Sequence, residues 1–209
     1  MNELTTKSTI SWLSSLANTY QEKKDYLIDL DREIGDADHG FNMARGFNAV
    51  AEKIASLEGS DIGTVLKTTA MTLISTVGGA SGPLYGSFFL QASTVGKDKT
   101  SLNVDEVGEL LEAGFKSVQQ RGKATVGEKT MIDAMEPAVN AFMAAKGEGL
   151  AVAADKAREA ARAGAESTIP IQATKGRASY LGERSIGHKD PGSESTALLF
   201  DEFYKAVSA

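Results

Sequence analysis

Apolar positions recur at helical spacing along almost the whole chain. Ile10, Leu13, Leu16 and Tyr20 mark one stripe, and Phe41, Ala44, Phe47, Ala51, Ile54 and Leu57 mark a second. Ile62, Leu66, Leu73 and Val77 form a third, over about 61–77. Spacings of three and four residues bring such side chains to one face of an α-helix. A fourth helix is expected from SGPL, where Pro83 suits a first turn, through Phe88 and Ala92. Val104, Val107, Leu111, Phe115 and Val118 outline a fifth, and Met131, Met135, Ala138 and Phe142 a sixth. The seventh, over about 149–175, is alanine-rich, and Pro170 predicts a kink or an end in it. In the eighth, over about 193–207, Ser193 stands at the cap position and Leu199, Phe200 and Phe203 turn inward.

No segment alternates as a half-buried strand would, and glycine and proline break the apolar run in VGGASGPLYGSFFL. The pattern predicts one all-α domain over 1–209, with long loops at 24–38, 119–129 and 176–192. Loops on a rigid helical scaffold are where function concentrates.

Composition narrows the classes. The chain has no cysteine, which excludes disulfides and thiolate metal sites. A formal net charge of −6 argues against nucleic acid as a partner, because phosphate contacts need a basic surface. The N-terminus lacks the basic start and unbroken apolar run of a signal peptide, and no window approaches about 18 uninterrupted apolar residues. The expectation is a cytoplasmic protein with no membrane partner.

Four stretches carry chemistry. DREIGDADHG, residues 31–40, sets Asp31, Asp36 and Asp38 close together, beside one of only two histidines. An extended backbone would point Asp36 and Asp38 to one side, and Gly35 would permit the reversal that returns Asp31 to them. Convergent carboxylates with no soft ligand suit a hard cation, Mg²⁺ or Ca²⁺. An EF-hand counted from Asp36 fails, with Gly40 at its fifth position and Phe47 at its twelfth. Mg²⁺ completed by water and phosphate fits a small ligand set better. The alternative is that Asp38 only caps the second helix. His39 would hydrogen-bond a phosphate, orient an acid, or serve as a structural donor.

In STVGGASGPL, small residues including Gly79, Ala80 and Ser81 feed a helix start, which exposes backbone N–H groups suited to an anion. Ser81 adds a hydroxyl donor. A tight inter-helix turn needing glycine is the competing reading. RGKATVGEKT, residues 121–130, imitates a phosphate loop, but Glu128 intrudes before Lys129-Thr130 and no strand precedes it. Thr130 remains as a helix cap. KGRASYLGERSIGHKDPGS gathers Lys175, Arg177, Arg184, His188 and Lys189, either as a phosphate clamp or as a solvated loop with ion pairs. Without a nucleophilic Cys or a serine triad, these parts are coherent with Mg²⁺-dependent phosphoryl transfer.

DREIGDADHGFNMARGF, STVGGASGPLYGSFF, RGKATVGEKTMID and KGRASYLGERSIGHKDPGS together closely resemble the nucleotide-binding subunit or domain of dihydroxyacetone kinases. The resemblance implies a closed barrel of eight antiparallel amphipathic helices with nucleotide, ADP or ATP, at one end. It implies that Asp31, Asp36 and Asp38 coordinate two Mg²⁺ ions bridging the nucleotide phosphates. His39, Gly40, Phe41 and Asn42 would line that region, and Gly79, Ala80 and Ser81 would form the phosphate turn. Gly122, Thr130 and Met131 would border the nucleoside, Arg177 would contact the nucleotide, and Asp190, Pro191 and Gly192 would close around the base. A kink at Pro170 would displace Arg177 from this site.

The family has two branches. In one, this domain is fused to a dihydroxyacetone-binding domain and ATP exchanges. In the other, it is a separate subunit with resident ADP, served by a phosphohistidine protein of the sugar phosphotransferase system. The chain length points to the second branch, with a dihydroxyacetone-binding subunit as partner and a transcriptional regulator as a further candidate.

Overall fold

The computed structural model describes residues 3–208 and is all-α apart from one short ribbon. Nine α-helices occur among the described residues: α1 (Thr6–Glu22), α2 (Lys24–Ile34), α3 (His39–Ile54), α4 (Ile62–Thr76), α5 (Ser81–Val95), α6 (Val104–Gly122), α7 (Ile132–Ala145), α8 (Leu150–Ser167) and α9 (Pro191–Ser208). Eight of them correspond to the eight apolar stripes. The ninth, α2, occupies much of the stretch read as a loop over 24–38. Its sequence KDYLIDLDREI buries only Leu27, Ile28, Asp31 and Ile34, too thin a stripe to stand out among its charges. The ribbon pairs β1 (Leu4–Thr5) antiparallel with β2 (Ser101–Leu102), too short to show alternation.

Helix ends follow local chemistry. Thr5 and Asn103 each close a capping box, on α1 and α6. α8 stops at Ser167, so Pro170 lies beyond the helix rather than kinking it. For α9 the capping side chain is Asp190, not Ser193: Asp190 Oδ2 accepts from the Ser193 backbone N–H at 2.6 Å, which makes Pro191 the first helical residue. Over 177–185 the chain forms 3-10 turns broken at Gly182.

α1 packs on α3, α3 on α4, α4 on α5, and so on through α8 on α9, while α9 packs on α1. α2 lies outside this succession, against α3 and α9. Trp12, Tyr20, Phe47, Phe89 and Phe203 meet mostly edge-on in the core, and Trp12 Nε1 donates to Leu199 O at 3.0 Å.

α7 and α8 approach especially closely. Pro137 has no N–H to give Asp133 O, the carbonyl one turn before it, and that carbonyl faces Gly164 of α8. A Cβ on Gly164 would stand 2.1 Å from Asp133 O. Gly164→Ala should therefore lower stability by about 1–3 kcal/mol in urea titration, although alanine is favoured over glycine in helices by about 1 kcal/mol. An unchanged or higher midpoint would show that α7 and α8 part without cost.

Candidate functional site

At one end of the molecule the starts of α3, α5, α7 and α9 meet the end of α2 and the 176–185 segment around a cavity of about 450 Å³. One wall is apolar, with Ile34, Leu84, Val118, Met131 and Ile132. Backbone and polar groups from Ala80, Ser81, Gly122, Thr130 and Gly192 form the rest, with His39, Asp190 and Arg177 at their places around it. The volume and mixed lining suit a small organic ligand with one polar end.

The acidic cluster sits against this cavity. One carboxylate oxygen from each of Asp31, Asp36 and Asp38 lies within 4.8 Å of the other two. Asp31 is buried at the end of α2, and its Oδ2 accepts from the backbone N–H groups of Asp38 at 2.8 Å and His39 at 3.1 Å. This carboxylate caps α3 from the preceding helix; Asp38, at the cap position itself, makes no cap hydrogen bond. Gly35 is required here, because a Cβ on it would fall 2.0 Å from Asp31 Oδ1. The backbone between Asp36 and Asp38 is not extended as expected. Ala37 adopts φ 60°, in the left-handed region, so a tight turn brings the carboxylates together. Partial burial raises the Asp38 pKa above the usual carboxylate value; the Asn42 hydrogen bond opposes the rise, and the charges of Asp36 and Asp31 add to it. Three hard oxygen donors at this spacing fit Mg²⁺.

Arg177 Nη2 lies 2.9 Å from Asp36 Oδ2, so the basic loop reaches the acidic one despite Pro170. Both side chains are substantially exposed, and the pair adds little stability by itself. Of the other basic-loop residues, Lys189 joins α8 to α9 by contacting Glu166 and Glu194. His188 stands 3.9 Å from Glu33.

The remaining residues divide. Gly40 is buried against the backbone of Lys24, where it admits close packing of α2 on α3. Phe41 is 56% exposed, with the Lys24 ammonium 5.3 Å from its ring centre. Asn42 Oδ1 accepts from Arg45 at 2.9 Å and from the Gly78 N–H at 3.4 Å, tying α3 to the glycine-rich turn. Gly79 takes φ +63° at the tip of that turn, with open space beside it. Thr130 Oγ1 accepts from the Ile132 N–H at 3.2 Å, so it does assist the start of α7.

Burial holds the His39 pKa down to about 4, so its ring is neutral near pH 7, although Asp31 opposes the shift. Lys129 was not singled out from the sequence, yet its ammonium is buried on the cavity wall. It donates to Thr168 O at 2.6 Å and Ile171 O at 3.1 Å, which pins the segment after α8. Asp133 accepts from the Gly127 and Thr130 N–H groups and holds the preceding loop. The only sequence signal for Lys129 was a phosphate-loop count that failed. Tyr85 and Ser195 were likewise unremarkable within helical stripes.

The sequence profile described as the DAK2 domain matches residues 33–205. The chain belongs to the DAK2 domain family. It is 47% identical over 192 residues to the Escherichia coli (strain K12) protein named PEP-dependent dihydroxyacetone kinase, ADP-binding subunit DhaL, with 91% of each chain covered. A second DAK2 relative, the PTS-dependent dihydroxyacetone kinase ADP-binding subunit of Lactococcus lactis, is 46% identical over 208 residues, covering 98% of this chain and all of that one. The crystal structure of the C. freundii dihydroxyacetone kinase in complex with AMP-PNP and Mg²⁺ superposes with a TM-score of 0.70 at 28% identity. That match covers 96% of this chain but only 33% of the C. freundii chain.

Asp190 gives the site a pH signature. Burial raises its pKa to about 7; the Ser193 N–H bond opposes this, Asp133 adds to it and the Lys129 charge opposes it. The folded protein therefore binds a proton at Asp190 that the unfolded chain has already released between about pH 4 and 7. Stability from this group falls as pH rises through that window. Asp190→Asn should remove that part of the slope in urea midpoints measured from pH 4.5 to 7.5. Parallel profiles for the two proteins would show that Asp190 is ionised throughout.

Proposed function

We propose that this chain is the ADP-binding subunit of a phosphotransferase-dependent dihydroxyacetone kinase. The observation that carries the reading is the juxtaposition of the Asp31–Asp36–Asp38 cluster with a half-apolar cavity of about 450 Å³. The cluster suits the charged end of Mg–ADP and the cavity suits its base. Identities support this branch of the family. Relatives named as ADP-binding subunits are 44–47% identical, whereas triokinase/FMN cyclases and a probable dihydroxyacetone kinase are 28–33% identical.

When bound, Mg–ADP would supply the carrier chemistry by which a phosphoryl group could pass from a phosphohistidine protein to a hydroxyl of dihydroxyacetone on a partner subunit. Asp31, Asp36 and Asp38 would hold two Mg²⁺ ions. The first-turn N–H groups of α5, with Gly79 and Ala80, would cradle phosphate oxygens. Ile34, Leu84, Met131 and Gly192 would sandwich the base, and Arg177 would swing from Asp36 to a phosphate.

Nucleotide released by denaturing freshly purified protein tests the reading. ADP at near-stoichiometric occupancy is expected. Empty protein that turns over free ATP with its partner would instead favour the ATP-dependent branch. Asp36→Asn and Asp38→Asn should each lose most of the thermal stabilisation conferred by Mg–ADP. Without ligand they should melt no lower than wild type, because each substitution removes a like charge. Full retention of ligand stabilisation in both would refute the assignment of these ligands. Arg177→Ala should weaken ADP binding roughly three- to tenfold, and wild-type affinity in a calorimetric titration would return Arg177 to a surface role.

A further inference from the structure

Against the cavity lies a buried polar cluster in which Tyr85, Ser195 and Thr196 have no role in the nucleotide reading. Ser195 and Thr196, in the early turns of α9, are fully buried, and Tyr85 of α5 is nearly so. Ser195 Oγ lies 3.0 Å from Gly192 O, 2.9 Å from His39 Nε2 and 2.8 Å from the Tyr85 hydroxyl. A hydroxyl has one proton and two lone pairs. The Gly192 carbonyl can only accept, and the Ser195 hydroxyl lies within reach to donate to it. Donating there leaves the Ser195 lone pairs to its other neighbours. Thr196 Oγ1 also donates to Gly192 O at 2.9 Å and lies 3.1 Å from the Tyr85 hydroxyl, whose single proton serves either Ser195 or Thr196. With the Ser195 proton on Gly192 O, the 2.9 Å contact to His39 requires the ring proton on Nε2.

We propose that Ser195 is a positioning residue that fixes His39 in its Nε2–H form, leaving Nδ1 to accept the Ser81 hydroxyl proton. His39 Nδ1 and Ser81 Oγ are 3.2 Å apart. The result is one directional chain of protons, from Ser81 through His39 to Ser195 and the Gly192 carbonyl. It locks together the starts of α3, α5 and α9, which are three walls of the cavity. It also changes the part assigned to Ser81. With its proton given to His39, the Ser81 oxygen offers only lone pairs to the cavity, so the glycine-rich turn meets an anion with backbone N–H groups alone. A serine nucleophile is not implied, since no carboxylate orients the far side of the ring; a hydroxyl stands there instead.

The effect on ligand affinity rests on the nucleotide reading, but the tautomer does not. Protein labelled with ¹⁵N-histidine and freed of nucleotide gives the tautomer directly from long-range ¹H–¹⁵N correlations. His188→Gln removes the signal of the other histidine. Wild type should show the Nε2–H form, and Ser81→Ala should keep it, because the form is set from behind the ring. Ser195→Ala should populate the Nδ1–H form and weaken Mg–ADP binding roughly five- to tenfold. An Nδ1–H form in wild type overturns the proposal, as does a Ser195→Ala protein with an unaltered His39 spectrum. If Ser195→Ala does not fold, the wild-type and Ser81→Ala spectra still decide. Wild type that fails to bind Mg–ADP would refute the nucleotide reading and leave the tautomer result standing.

Discussion

The Asp31 carboxylate ties the end of α2 to the start of α3 across the acidic loop. One of its oxygens takes the N–H groups of Asp38 and His39 that open α3, and the carboxylate as a whole belongs to the acidic cluster. The same contact fixes where α3 begins and brings the third negative charge within reach of the other two. It also explains how that charge is tolerated in the protein alone. The positive end of the α3 dipole faces the cluster, and Arg177 closes it from the basic loop. Each effect is worth about 1 kcal/mol or less in such settings, comparable to the repulsion of two exposed carboxylates about 4 Å apart.

Beyond Asp31, the site is held by polar groups that are buried yet fully partnered. None of the buried side-chain nitrogen or oxygen atoms among the described residues lacks a hydrogen bond. Lys129 anchors the segment after α8, Asp133 shapes the loop before α7, and Asp190 caps α9. Removing one member of such a set costs more than the bond it made, because its partner stays buried and unsatisfied. The cavity therefore has stiff walls even though several of them are loop residues. The helices behind them, joined through the aromatic core, supply the frame.

Much of this was legible in the sequence because long helices repeat their signal. Eight stripes predicted eight helices, and the acidic, glycine-rich and basic loops lie at one end as their shared chemistry suggested. α2 was missed because its apolar face is only a few residues wide, while Lys24, Asp25, Asp29, Arg32 and Glu33 dominate its composition. The left-handed Ala37 was invisible, since nothing in an alanine announces a positive φ. Ser195 and Tyr85 are separated by 110 residues and meet only in the folded chain. Their importance lies in which atom of each faces which, information that residue type does not carry. The identity of the ligand belongs to the same class: spacing pointed to a hard cation and an anion, whereas the nucleotide came from family resemblance.

Several costs to stability fall at this one end. Asp31, Asp36 and Asp38 repel, Ala37 is held in a conformation that L-residues disfavour, and Asp190 is buried with its proton affinity raised. A cation seated among the carboxylates turns their mutual repulsion into attraction, so its binding energy includes the relief of a strain already built into the fold. Linkage then makes retention and stability one quantity: whatever the empty site costs is returned when the ligand enters.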